Sequence, residues 1–286
     1  MPEKRLDPHV VVVGLPWDEQ SSFLRGAAAG PARIRHALHD GSANLCTEHG
    51  LDLGEARGWA DRGDLALRGS VVEQIEHAIS AELATGASVL SLGGDHAVTY
   101  PILRAYGPAY AGLTIVQIDA HPDLYDEFEG SRLSHACGFS RIMEAGLASR
   151  LVQVGIRTAT PHQREQARRF DVTMLEMKDW RAGLQVPVPD GPVYLSLDID
   201  GIDPAHAPGV SHHEPGGLTA RDAIAIIHQL RGRLVGADIV EFNPARDASG
   251  ITAMLGAKLY REIVGALLAR DQRGQSQPNT PAVSAP

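Results

Sequence analysis

The chain has 286 residues, with 35 acidic against 26 basic side chains and a formal charge of −9. That length buries a sizeable core, and the acidic balance argues against nucleic acid or an anionic membrane as partner. Cys46 and Cys137 cannot build a disulfide framework, no apolar run reaches the roughly 18 residues of a membrane span, and the amino terminus MPEKRLDPHV lacks a signal-type apolar core, so a cytoplasmic protein is expected.

His9–Pro16, HVVVVGLP, is a β-branched run of the kind found in strands buried on both faces, and it reads as the first parallel strand. Trp17–Gly30 is polar, glycine-bearing and aperiodic, which predicts a loop over a site. Gly30-Pro31 opens the helix ARIRHALHD with Pro at its first position. No period is visible from Asp52 to Gly69. Ser70–Leu83 then sets Val71, Ile75, Ile79 and Leu83 at helical spacing. Strands are predicted at Ala87–Leu92, Thr114–Ile118, Leu151–Val154, Val193–Leu197 and Leu234–Val240. Helices alternate with them at Val98–Tyr106, Phe139–Ala145, His162–Phe170, Arg221–Leu230 and Thr252–Leu268. Alternation implies right-handed crossovers, a mainly parallel sheet covered on both faces, and a site beyond the carboxyl ends of the strands. Residues 272–286, QRGQSQPNTPAVSAP, are rich in Gln, Pro and Ser and read as a disordered tail.

The charged clusters fall at those strand ends. Asp119, His121 and Asp123 follow the run Leu113–Ile118 at alternate positions, which in an extended segment puts them on one face. Two carboxylates and an imidazole side by side repel and cost desolvation unless a cation holds them together. Asp95 and His96 follow Gly93-Gly94, glycines expected to let the backbone turn sharply and bring His96 inward. Asp198 and Asp200 follow the strand that ends at Leu197. Taken singly, His96 reads as a satisfied buried histidine and Asp198 as a cap. Together, four carboxylates and two imidazoles at three strand ends make a metal site. Imidazole with carboxylate oxygens and no thiolate suits manganese, iron, cobalt or nickel better than structural zinc. Six ligands exceed what one catalytic ion with an open position takes, and two bridged ions fit the count. Asp203, before Pro204, reads as a turn residue, and Asp95 as a group that orients a ligand.

The strings LGGDH, IDAHPDLYDEFEG, SLDIDGIDP, APGVSHHEPGGL and VGADIVEFNPARD resemble the signatures of the ureohydrolase (arginase/agmatinase) family. DLYDEFEG, RLSHAC and VSHHEPGG are most similar to its plant-arginase and bacterial-agmatinase branch, and the likeness runs from about Val10 to Leu268. The resemblance implies an α/β fold, a three-layer αβα sandwich with a mainly parallel central sheet, as a single catalytic domain over residues 1–271. It implies two Mn(II) per chain, with Ni(II) or Co(II) as alternatives, held by His96, Asp119, His121, Asp123, Asp198 and Asp200. It further implies hydrolysis of a small guanidino substrate to urea and an amine, and a homo-oligomer, trimeric or hexameric. His135, in RLSHAC, takes the place of the family's proton-shuttle histidine, and Glu214, in HEPGG, that of the glutamate that receives the guanidinium. Two divalent ions offset four carboxylates, which leaves Glu214 to attract the cation and His135 to protonate the departing amine.

Animal-type arginases carry an Asn near the position of Ser131 and an Asp near that of Thr160, and this chain has neither. Loss of the Asp removes a partner for an α-ammonium, so agmatine, giving putrescine and urea, is expected ahead of L-arginine; guanidino acids and free guanidine are further alternatives. Two other classes are disfavoured. Zinc deacetylases of acetylpolyamines in the same superfamily keep a single-metal set, without the equivalents of His96 and Asp123. An idle metal-binding subunit has no physical reason to retain a destabilising charge cluster together with His135 and Glu214.

Overall fold

In the computed structural model, which describes residues 8–274, eight strands form one sheet. They are β1 (Val10–Leu15), β2 (Trp59–Asp64), β3 (Ser88–Gly93), β4 (Thr114–Ile118), β5 (Arg150–Ile156), β6 (Thr173–Glu176), β7 (Val193–Asp198) and β8 (Leu234–Val240). The order across the sheet is β2-β1-β3-β8-β7-β4-β5-β6, and every neighbouring pair is parallel. Parallel neighbours need crossovers; among the described residues six α-helices supply them, the β6–β7 connection does without one, and a seventh follows β8. The seven are α1 (Gly30–His39), α2 (Val71–Ala84), α3 (Thr99–Ala109), α4 (Gly138–Glu144), α5 (Pro161–Arg169), α6 (Ala220–Leu230) and α7 (Ile251–Gly274).

The period of two in β1 divides the core between the faces. Val10 and Val12 pack with Ile34 of α1, Ile227 of α6 and Leu259 of α7 on one side. Val11 and Val13 pack with Ile75 of α2, Ile102 of α3 and Phe139 of α4 on the other. Each such side chain, fully buried, contributes roughly 1.5–3 kcal/mol of transfer free energy. The result is the three-layer αβα sandwich expected, and its central strands β3, β8, β7 and β4 are buried along their whole length.

Two strands escaped the sequence reading, β2 and β6, and they are the two edges. Their residues, WADRGD and TMLE, are half-buried or exposed. With one face partly open and a single neighbour, neither develops the apolar run that marked the interior strands. Charged side chains on such an edge also discourage pairing with a further chain. The carboxyl-terminal boundary differs as well: α7 continues to Gly274, three residues into the expected tail, and residues from 275 on lie outside the described residues. Both cysteines are free thiols, and among the described residues no helix is long and apolar enough to cross a membrane.

Candidate metal centre

All six expected ligands come together beyond the carboxyl ends of β3, β4 and β7. His96 opens a short 3-10 turn after β3, capped by Asp95, whose Oδ1 accepts the Ala97 N–H at 3.1 Å. The glycines before it serve close approach, not a left-handed turn: Gly94 has no positive φ, but a Cβ there would lie 2.0 Å from the Trp17 carbonyl oxygen. His96 Nδ1 faces Asp119 Oδ2 at 3.1 Å, Asp123 Oδ2 at 3.1 Å and Asp198 Oδ2 at 3.3 Å. His121 Nδ1 faces Asp200 Oδ2 at 3.0 Å and Asp119 Oδ1 at 3.6 Å. Asp119 therefore presents one oxygen to each histidine, as a carboxylate shared by two ions would. The alternate spacing of Asp119, His121 and Asp123 does not place them on one extended face. Asp123 swings to the His96 side through a left-handed backbone, φ 51°, a conformation an Asp adopts at modest cost.

The donor set passes a chemical test for cations. His96 Nε2 lies 2.9 Å from Ser196 Oγ, and Ser196 Oγ donates to Asp238 Oδ1 at 2.7 Å. Asp238 also accepts from Thr99 Oγ1 at 3.0 Å and from the Tyr194 hydroxyl at 2.8 Å. Because the serine proton is committed to Asp238, the serine lone pair accepts Nε2–H, and this leaves Nδ1 as the bare nitrogen. That nitrogen is buried, makes no hydrogen bond, and points at three carboxylate oxygens. Lone pairs so arranged repel unless a positive charge stands among them. Burial, with the charges of Asp200 and Asp119, pushes the Asp198 carboxyl well above its usual range, the response of an acid without a counter-ion. The residues fit metal ions as ligands.

His135 and the glutamate beside it form the second part of the site. His135 Nδ1 lies 2.9 Å from Glu241 Oε1, and Glu241 also accepts the His96 N–H at 2.9 Å. Burial pulls the His135 pKa down, but the Glu241 charge and hydrogen bond outweigh it and raise the imidazole to about 9. Glu241 follows β8 with φ 63° and lines the same cavity, of about 220 Å³, as His121, Asp123, His135, Asp198 and Asp200. Glu214 is not among the lining residues. Its backbone carbonyl accepts Arg157 Nε at 2.7 Å, and the loop carrying it is tied outward by Asp203, which accepts the Gly216 and Gly217 N–H groups at 2.6 and 2.9 Å. Beyond the three aspartates that line it, the carboxylate facing the cavity is Glu241, where the sequence pointed to Glu214. Asp203 is the turn residue expected, with Oδ1 accepting the Ala205 N–H at 2.8 Å.

Further supports were not legible as such. Gln117, within the largely apolar β4, donates to Asp119 Oδ2 at 2.7 Å, and its own oxygen accepts from Gln153 at 2.7 Å. Arg157 donates to the backbone oxygens of Asp200 and Gly201 at 2.6 and 3.2 Å, bracing the turn that carries Asp200. Buried amides within apolar strands were the available signal, since such groups occur where a partner demands them.

Away from the ligands the cavity wall is neutral, built from Ser22, Tyr125, Phe128, Thr158, Thr160 and Gln163. Thr160 caps α5, its hydroxyl engaged by Gln163. Ser131 does not line the cavity; it donates to Gln20 Oε1 at 3.0 Å.

A parallel αβα sandwich with imidazole and carboxylate groups clustered at its central strand ends defines an α/β protein with a candidate metal site. The model of the Arginase family matches residues 8–265. Arginase 1, mitochondrial, of Oryza sativa subsp. indica is 45% identical over 270 residues, 88% of this chain and 79% of that protein. The guanidinobutyrase of Pseudomonas aeruginosa is 37% identical over 88% of this chain and 84% of that protein. Among solved structures, the arginase from Medicago truncatula superposes with a TM-score of 0.81 at 39% identity, covering 91% of this chain and 87% of that one. The chain belongs to the arginase (ureohydrolase) family.

Proposed function

We propose that the protein is a metal-dependent ureohydrolase that cleaves a guanidino C–N bond to release urea and an amine. The observation that supports this most is the convergence in one cavity of two ligand groups sharing Asp119 with the His135–Glu241 pair. His96, Asp119, Asp123 and Asp198 would hold one ion, and His121, Asp119 and Asp200 a second. Divalent ions bound there, manganese first and nickel or cobalt as alternatives, make a strong nucleophile available from water at neutral pH. Glu241 supplies the carboxylate that accepts guanidinium N–H donors and holds its carbon over the ligand cluster. His135 sits beside that carboxylate and gives its proton to the nitrogen that departs.

The neutral wall bears on the other end of the substrate. Agmatine's amine is the α-amino group of arginine with the neighbouring carboxylate lost, so a threonine at position 160 deprives both compounds of the same ammonium partner. They differ in the carboxylate alone. An isolated ammonium against neutral hydroxyls and an amide costs several kcal/mol, whereas a zwitterionic head compensates its own charge. This moves the proposal from agmatine to L-arginine, in line with the name of the rice relative. Agmatine stays as the second reading, because among the described residues no Lys or Arg lines the cavity to receive a carboxylate. Urea release from L-arginine, agmatine and 4-guanidinobutyrate on one manganese-loaded preparation tests both levels. We expect kcat/KM for L-arginine to exceed that for agmatine by roughly tenfold, about 1.4 kcal/mol. The reverse order overturns the substrate, and no urea from any guanidino compound overturns the activity.

A further inference from the structure

The loop Trp17–Gly30 reaches the cavity through one side chain. Ser22 Oγ lies 2.8 Å from His135 Nε2, and the Ser22 backbone N–H points at the same nitrogen at 3.3 Å. An N–H group donates, so in the neutral ring, the form left once His135 has given up a proton, Nε2 carries the lone pair and the remaining proton sits on Nδ1 against Glu241. The loop is held in place from several sides. Asp95 Oδ2 accepts the Gln20 N–H at 2.8 Å, Asp18 Oδ2 accepts the Gly26 N–H at 2.6 Å, and the Leu24 carbonyl accepts from Ser211 Oγ at 2.8 Å. His135 in turn is enclosed: its side chain is 11% exposed, while Phe23, next to Ser22, is 65% exposed. A buried acid that has delivered its proton needs a route by which another returns.

We propose that Ser22 is that route, relaying protons between the cavity mouth and His135 Nε2. This rests on the activity put forward above. After His135 has protonated the departing nitrogen, Nε2 takes the Oγ proton of Ser22 while Oγ takes one from water or a buffer acid at the mouth. One proton enters, one is passed on, and the serine ends unchanged. His212 packs its ring 5.6 Å from that of His135, centroid to centroid, and among the described residues the side-chain hydrogen bond to Nε2 comes from Ser22.

Threonine and valine at position 22 match in bulk and differ in the hydroxyl, so Ser22→Thr and Ser22→Val form the test pair. With two manganese ions per chain verified in each, Ser22→Thr should stay within about threefold of the parent. Ser22→Val should lose roughly tenfold or more in kcat with little change in KM, and its rate should rise with added imidazole buffer. Equal, undiminished rates for the two overturn the relay and leave the ureohydrolase reading intact. If both fall together, Ser22→Ala decides: restoration by imidazole supports the relay, and a loss that buffer does not restore overturns it. Absence of urea release from the parent protein on every guanidino compound overturns the activity and the relay with it.

Discussion

Asp238 and Asp198 are both buried carboxylates on neighbouring strands, linked through Ser196 and His96, and they are treated in opposite ways. Asp238 receives three hydroxyl donors, which work against the burial that raises its carboxyl. Asp198 accepts the Asp200 N–H at 2.7 Å with one oxygen, and its other oxygen faces a bare imidazole nitrogen among further carboxylates. A buried acid that the fold satisfies is scaffold; one that the fold leaves in want of a positive charge marks a site. The distinction lies in the donors around each group, not in its burial.

Replacement by asparagine separates the two most sharply. Asp198→Asn should bring the metal content of manganese-loaded protein from two ions per chain towards one and nearly abolish urea release; a fully active variant would sink the two-ion reading. In metal-free protein the same change should raise stability, on the order of 1 kcal/mol, since it removes one of several unpaired buried charges. Asp238→Asn should lower stability by about 1–3 kcal/mol, because an amide offers a single acceptor oxygen where the carboxylate offers two. Denaturant midpoints on chelated samples read out both, and shifts of the same sign would erase the contrast.

The His135–Glu241 pair lies between these cases, a charged group whose partner the chain itself provides. His135→Asn should leave both ions bound and lower turnover by roughly a hundred- to ten-thousand-fold, the range for positioned acid–base groups. Turnover unchanged across the pH range would reduce His135 to a wall residue.

The smallest effect is expected where the same ion-pair chemistry stands in water. Glu48 pairs with Arg221 at 2.6 Å, and the Arg221 hydrogen bond, with Lys258 nearby, holds the Glu48 carboxyl at about 2 against the burial that raises it. A depressed carboxylate contributes stability above its ordinary value of 4.5 that is lost as pH falls towards 2. Arg221 is 67% exposed, so Arg221→Ala should cost under about 1 kcal/mol at pH 7, and the difference from the parent should shrink below pH 4.5. A larger loss, read from thermal unfolding, would mean that exposure is a poor guide to the strength of these pairs.

The same contrast explains what could be read in the chain. The six proposed ligands could be picked out because each closely follows a strand end or opens the turn beyond one, and the structure brings their side chains together. Glu241 obeyed that rule too, standing directly after the apolar strand Leu234–Val240, but the more conspicuous HEPGG string drew attention to Glu214. Position relative to a strand was the better guide. Ser22 carried no local signal: its partner lies 113 residues away, and the approach depends on Gly94 yielding room to the Trp17 backbone. The interior strands announced themselves by predominantly apolar runs, and the edge strands β2 and β6, half-buried or exposed, could not.

The neutral wall and the charged floor come largely from different connections. Thr158 and Thr160 sit on the segment joining β5 to α5 and Gln163 in the first turn of α5, whereas the proposed ligands follow β3, β4 and β7. Substitutions at sites without shared partners combine almost additively. The wall can therefore drift from one guanidino compound to another while the ion-binding floor is left untouched. An architecture so partitioned lets a lineage change its diet without having to reinvent its chemistry.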